Sequence, residues 1–292
     1  MYELIQINEH DYYIDCPAKI GVVRINDKDV VLIDSGSDKD AGKKVMKVLS
    51  EKGWNLKIIF NTHSHADHIG GNKLLQERTG CTIYAPGLEY AYTVNPELEA
   101  MGLYGGLPFK DIQNKFLMAQ SSKAEKLCEE VLPEGFEIIK LPGHSFDMVG
   151  FKTPDKTVYI ADSVSSEETL NKYGIGYMWN PAESLKTLEF LKTIDGKVYV
   201  PAHAAAAEDV KDLVDVNIEA IKKTKQAILD ICENGAAFEK ILKDIFDKYS
   251  MTMTAQQYVL IGSTIRSYLS SMYSEGLLSF EFDNNQMIWK RQ

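Results

Sequence analysis

Apolar residues fall in short, evenly spaced runs along most of this chain, and clusters of turn residues separate them. Residues 20–25 and 30–33 read as strands joined by the polar turn Asn26-Asp27-Lys28-Asp29. Residues 40–52 have helical spacing. Residues 56–60 are apolar enough for a buried strand, and 72–79 follow as a short helix closed by Gly80. The same style returns from 136 to 200. There, 136–141, 158–161 and 198–202 are short apolar runs, and Thr153-Pro154-Asp155-Lys156 resembles a hairpin turn. Residues 183–192 put Leu185, Leu188 and Leu191 along one side of a helix. Strands and helices alternate without a Gly-rich phosphate loop, which predicts an α/β chain with two sheets covered by helices.

Two stretches break this rhythm. Residues 88–133 carry Tyr90, Tyr92, Met101, Tyr104, Phe109, Phe116 and Met118, with Gly102-Leu103-Tyr104-Gly105-Gly106 in their middle. They predict a helical insertion. Its aromatics pack among themselves or against a sister subunit, or they form a lid or pocket wall whose glycines permit movement. After His203 the text becomes helical. Phe238, Ile241, Leu242, Ile245 and Phe246 recur at the spacing of one apolar helix face. A further helix is predicted at 254–274, and 277–289 read as a hairpin turning at Asp283-Asn284-Asn285-Gln286.

Composition narrows the function classes. With 292 residues the chain can build one full core and a smaller module. A net charge of −10 argues against broad attraction to nucleic-acid phosphates or anionic membranes. No segment approaches the ~20 apolar residues needed to span a bilayer, and the first residues lack the charged and apolar regions of a secretory signal. Cys16, Cys81, Cys128 and Cys232 are scattered without zinc-knuckle or redox-pair spacing, so reduced thiols and a cytoplasmic location are expected.

The strongest chemical signal is Thr62-His63-Ser64-His65-Ala66-Asp67-His68-Ile69-Gly70-Gly71. Half of the chain's 6 histidines crowd into it beside a carboxylate. Such crowding is costly unless a divalent metal resolves it, because neutral imidazole and carboxylate are both ligands for zinc and its neighbours. In an extended segment His63, His65 and Asp67 point one way and His68 another, which suits two ions better than one. Three other apolar runs each end in a potential ligand: His144 after Leu141-Pro142-Gly143, Asp162 after Ala161, and His203 after Ala202. Only His10 stands apart. Gly143-His144-Ser145-Phe146-Asp147 begins like the Gly-x-Ser-x-Gly nucleophile elbow, but Asp147 replaces the last glycine, and a serine hydrolase leaves the histidine cluster unexplained.

His-x-His-x-Asp-His, then Gly-His, then Asp, then His, in this order, resembles the metallo-β-lactamase superfamily over residues 1–208. The resemblance implies a four-layer αββα sandwich and two divalent ions. His63, His65 and His144 would hold one ion; Asp67, His68 and His203 would hold the other, and Asp162 would bridge them. It also matches Asp34, in Val30-Val31-Leu32-Ile33-Asp34-Ser35-Gly36, to an aspartate that braces the metal loop through hydrogen bonds. An Asp-Ser-Gly turn after a strand would look the same. Zinc is the first choice by ligand type, with iron and manganese also suited. Residues 209–292 resemble a winged-helix module more weakly.

The implied reaction is hydrolysis by a metal-bridging hydroxide of a small acyl substrate, thioester or lactone, with Asp67 orienting the hydroxide. Two alternatives from the same superfamily are a ribonuclease or phosphodiesterase and a persulfide dioxygenase with a single iron. His68 and His203 favour two metals over one. From Asp209 onward there are ten Lys and Arg against twelve Asp and Glu, so the tail is net acidic by two and no nucleic-acid partner is expected. The tail is expected to support a homodimer or shape the pocket. Tyr173 and Tyr177 are candidates to orient a substrate carbonyl or simply to pack; the substrate-binding residues are otherwise unassigned.

Overall fold

A computed structural model describes residues 2–292. β1 (Glu3–Gln6), β2 (Asp11–Asp15), β3 (Ile20–Arg24) and β4 (Asp29–Ile33) form an antiparallel meander. After α1 (Lys39–Lys52) the chain returns as β5 (Asn55–Phe60), parallel to β4. The short α2 (Ala66–Ile69) and α3 (Asn72–Thr79) lead to β6 (Thr82–Ala85), parallel to β5. α4 (Glu89–Val94), α5 (Glu97–Tyr104) and a 3-10 turn at Lys110–Ile112 precede β7 (Ala124–Lys126), which pairs with β6 and completes a 7-stranded sheet in sequence order. The predicted insertion is thus helical in its first half and closes with an edge strand. Three residues and two charges on that strand leave little template for a further one.

β8 (Glu137–Lys140), β9 (Val149–Lys152), β10 (Thr157–Ser165) and, beyond α6 (Glu167–Tyr173) and α7 (Pro181–Leu191), β11 (Val198–His203) build a second sheet in the order β11-β10-β9-β8. The chain continues through α8 (Lys211–Ile231), β12 (Ala236–Ala237), α9 (Phe238–Lys248), α10 (Ala255–Ser274), β13 (Leu278–Asp283) and β14 (Gln286–Arg291). The last two strands pair with β12 as a small third sheet, which gives the tail its winged-helix-like form.

Strand β4 shows how the layers arise. Its side chains alternate, so Val30 and Leu32 pack with Val45 and Leu49 of α1, while Val31 and Ile33 face the second sheet. Burial on both faces is why this segment reads as an unbroken apolar run. Between the sheets, Phe60 stacks on Phe151 with ring centroids 5.3 Å apart. Outside the second sheet, Val158 and Ile160 meet Leu188 and Leu191 of α7 and Val214, Ile218 and Ile221 of α8. The result is an αββα sandwich.

The same apolar cluster runs on into Ile241, Leu242, Ile245 and Phe246 of α9 and Ile265, Tyr268 and Leu269 of α10. The tail's apolar stripe is therefore buried within the chain itself. Helix ends follow local chemistry. Asp38 caps α1 by accepting from the Asp40 and Ala41 N–H groups, and Gly53 closes it in the left-handed conformation. The final hairpin turns on Asn284 and Asn285, both at positive φ, a tighter loop than the four residues predicted. No helix of the described residues is long and apolar enough to cross a membrane.

Candidate metal centre

The site lies at the rim of both sheets, where β4, β5, β10 and β11 end or bend. His63 and His65 extend from β5, and the chain then coils. His65 is the N-cap of α2, so Asp67 and His68 sit on a helical turn. That changes one expectation. Asp67 does not share a face with His63 and His65; its carboxylate gathers with His68 and His203. The coil is packed hard against the end of β4. A side chain at Gly70 would place Cβ 2.2 Å from the Ser37 carbonyl, and one at Gly71 would place it 2.2 Å from the Ser35 oxygen. These two glycines are needed for close approach rather than for unusual backbone angles.

Asp34 ties the loop down. Its Oδ1 accepts from the Thr62 N–H at 2.8 Å, and its Oδ2 accepts from the Thr62 hydroxyl at 2.8 Å and from His68 Nδ1 at 2.7 Å. Its φ of 66° is left-handed. Ala161, with φ 49°, is similarly strained immediately before Asp162. It breaks the β10–β11 register there, and the strand runs on to Ser165 instead of ending at Asp162 as expected. Asn217 of α8 anchors that extension, accepting from the Ser165 N–H and donating to its carbonyl, both at 2.9 Å.

Seven side chains converge. Ligand atoms of His63, His65 and His144 lie within 4.8 Å of one another, as do those of His63, His68 and Asp162 and those of Asp67, His68 and His203. The outward nitrogens are held from behind: His63 Nδ1 by the Thr62 hydroxyl at 3.0 Å, His68 Nδ1 by Asp34, and His203 Nδ1 by the Pro17 carbonyl at 2.9 Å. The inward nitrogens crowd. His65 Nδ1 is 3.0 Å from both His63 Nε2 and His144 Nε2, and one proton could serve at most one of those contacts.

Burial, then the neighbouring His68 and His65, holds His63 well below the ordinary histidine range. Burial likewise lowers His65 and His144 to about 4, so their rings are neutral and each can present a lone pair to a metal. His68 Nε2 and Asp162 Oδ1 are 3.0 Å apart but lack hydrogen-bond geometry, and both are buried without a partner. Orphaned buried atoms of this kind, with neutral imidazoles aimed at a common point, fit divalent cations.

The acidic side of the cluster responds differently. Asp162 raises His203 to about 10. Burial opposes a charge on His68, yet Asp162, Asp67 and Asp34 together hold it well above the ordinary value. Burial also opposes ionisation of Asp67 and Asp162, but His68 and His203 keep both carboxyls well below the usual range. A metal entering here would displace the protons on those two rings. Asp67 is the most open of the set, its side chain 43% exposed.

Of the two tyrosines considered, Tyr177 reaches the site, its ring centroid 5.0 Å from His65 and 5.8 Å from His144. Tyr173 is half exposed at the end of α6, with Lys172 over its ring. Ser145 is buried, and its hydroxyl donates to Glu89. A cavity of about 70 Å³ beside His144 and Asp162 is closed by Tyr177, by Ala220 and Thr224 of α8, and by Tyr268 of α10. Sequence reasoning missed two buried carboxylates of the insertion. Glu89 is wholly buried, and Glu99 lies 3.8 Å from His65 Nε2. Burial, then Glu89, pushes Glu99 up to about 8. Their one signal is placement: Glu89 precedes Thr93 and Glu99 precedes Leu103 by four residues, on the buried helix faces.

Residues 13–203 match the metallo-beta-lactamase superfamily. The chain belongs to that superfamily. A metallo-beta-lactamase family protein from Thermus thermophilus superposes with a TM-score of 0.74 at 15% identity, covering 99% of this chain and 98% of that one. A beta-lactamase domain protein from Burkholderia ambifaria gives 0.75 at 16%, covering 99% and 95%. At these identities the likeness shows the fold alone, and it includes the tail. A hydroxyacylglutathione hydrolase from Bradyrhizobium sp. (strain ORS 278) is 28% identical over 183 residues, 61% of each chain. One from Erythrobacter litoralis (strain HTCC2594) is 46% identical over 57 residues, 18% of this chain and 23% of that protein. The chain spans less than two thirds of the length of these curated relatives.

Proposed function

We propose that this superfamily member is a binuclear metal-dependent hydrolase of a small acyl substrate, a thioester or a lactone. The observation that carries it is the pair of three-ligand groups, His63/His65/His144 and Asp67/His68/His203, with Asp162 between them. Divalent metal in these groups would supply a water ionised near neutral pH and a Lewis acid for the carbonyl. Zinc suits the donor set best, and iron or manganese would also fit. All seven side chains lie within residues 1–208, to which we assign the chemistry. Residues 209–292 would supply the far wall of the pocket.

The chain's own groups account for the remaining steps. Asp67, the open carboxylate at the mouth, would orient the attacking water and take its proton. Tyr177 keeps its phenol proton because burial, and then Glu99 and Glu89, raise it far above its usual value. It can therefore donate a hydrogen bond to the substrate carbonyl. The cavity beside His144 and Asp162 would receive the acyl group against Leu141, Met148 and Leu188. The hydroxyacylglutathione hydrolases named above support the thioester form. None of the side chains placed around this site is a lysine or arginine, so a carboxylate elsewhere on the substrate would find no cationic side chain there.

Elemental analysis of metal-replete protein, followed by a thioester, lactone and phosphodiester panel, tests this reading. Two ions per chain are expected, with loss in His63→Ala and Asp162→Asn and turnover of an acyl substrate. A wild-type protein that holds no metal, or that cleaves only the phosphodiester, overturns it.

A further inference from the structure

Glu89 is the first residue of α4, wholly buried, and among the described residues no cation lies beside its carboxylate. Its Oε2 accepts from the Ser64 N–H at 3.0 Å and from the Ser64 hydroxyl. Its Oε1 accepts from the Ser145 hydroxyl and from the Asp147 N–H at 3.1 Å. The contact is reciprocated, because Asp147 Oδ2 accepts from the Leu88 N–H at 2.7 Å. Ser64 lies between His63 and His65, and Ser145 follows His144. One carboxylate thus ties together the two loops that carry all three members of the His63/His65/His144 group.

A buried carboxylate is costly to desolvate unless hydrogen bonds satisfy it, and here four donors do so. Those donors come from two separate loops, two from Ser64 and two from Ser145 and Asp147. Carboxylate oxygens accept in fixed directions, so the pair of loops is held at one spacing. We propose that Glu89 is a positioning residue for the metal centre, setting the distance between the His63/His65 loop and the His144 loop. The insertion that bears it is then part of the centre's support as well as a pocket wall. This rests on the metal reading above.

The test uses cobalt(II) as the probe, with competition by a chelator and the visible absorption spectrum as readouts. His63→Ala and His203→Ala identify which constant and which bands belong to which group. A glutamine in place of Glu89 has one acceptor oxygen and a donor on the other side, so one backbone N–H must face an amide N–H. Glu89→Gln is expected to weaken the His63/His65/His144 group by about 10- to 100-fold and alter its bands. The other group should stay within about threefold of wild type.

Ser145→Ala, which removes one of the four donors, should give a smaller loss at the same group, and it serves if Glu89→Gln does not fold. Unchanged affinity at both groups in the variant that folds overturns the proposal. Equal loss at both overturns it too, since that is general destabilisation. Wild-type protein that takes up fewer than two ions defeats the metal reading itself, which separates the two failures.

Discussion

Replacing Asp34 by asparagine isolates one hydrogen-bond pattern. Asparagine tolerates the left-handed backbone at this position, so Asp34→Asn adds no strain. It keeps one acceptor oxygen where the carboxylate had two. With that oxygen on the Thr62 N–H, the new NH₂ group faces His68 Nδ1 at the place now 2.7 Å away. His68 must then either move its proton to Nε2, where a metal needs a lone pair, or leave two donors opposed. Losing a hydrogen bond to a charged group costs about 1.5–3 kcal/mol. Losing the partner behind a metal-binding histidine costs about 10- to 100-fold in affinity, which is about 1.4–2.8 kcal/mol. The first figure applies to the folding of the metal-free protein, the second to metal binding. Chelator competition should therefore show weaker binding chiefly at the Asp67/His68/His203 group, and calorimetry of metal-free protein should show a lower melting temperature. Asp34→Ala should lose about 1–2 kcal/mol more, because alanine is poorly suited to a left-handed backbone. Asp34→Asn protein that holds both ions within about threefold of wild type and melts at the same temperature would refute the reasoning.

Three further outcomes are expected. Ser145→Ala at saturating metal should retain most of the turnover while His68→Ala removes most of it, measured by steady-state kinetics; an acyl group trapped on Ser145 would contradict the non-covalent route. Ala220→Leu should fill the cavity beside Asp162, cutting kcat/KM for acyl substrates by about tenfold or more, with two ions still bound; overpacking of this kind typically costs about 1–3 kcal/mol. Filter binding should find no tight, salt-sensitive association with RNA or DNA; such an association would bring the nuclease reading forward.

How far the sequence speaks depends on whether a residue's role is set locally. His63, His65 and His68 crowd one loop, and their placement follows from Gly70, Gly71 and the end of β5. Strand and helix positions were legible for the same reason: α3 closes at Gly80 and α10 opens at Thr254 through caps written in neighbouring residues. Asp67 was misdirected because alternation assumes extension, whereas the chain coils at His65 to satisfy backbone groups beside β4. The extent of β10 was hidden because its continuation past Asp162 depends on Asn217, 52 residues beyond Ser165. Glu89 and Glu99 were least legible of all. A glutamate in a helix reads as solvated surface, and only the positions of Ser64, Ser145 and His65 in space make either one a buried partner. Local signals thus disclose the groups that would hold metal. Of the carboxylates behind them, Asp34 stands in a legible segment at the end of β4, whereas Glu89 and Glu99 come from the insertion, where helix-face placement is the one local hint that separates a brace from a charge facing water.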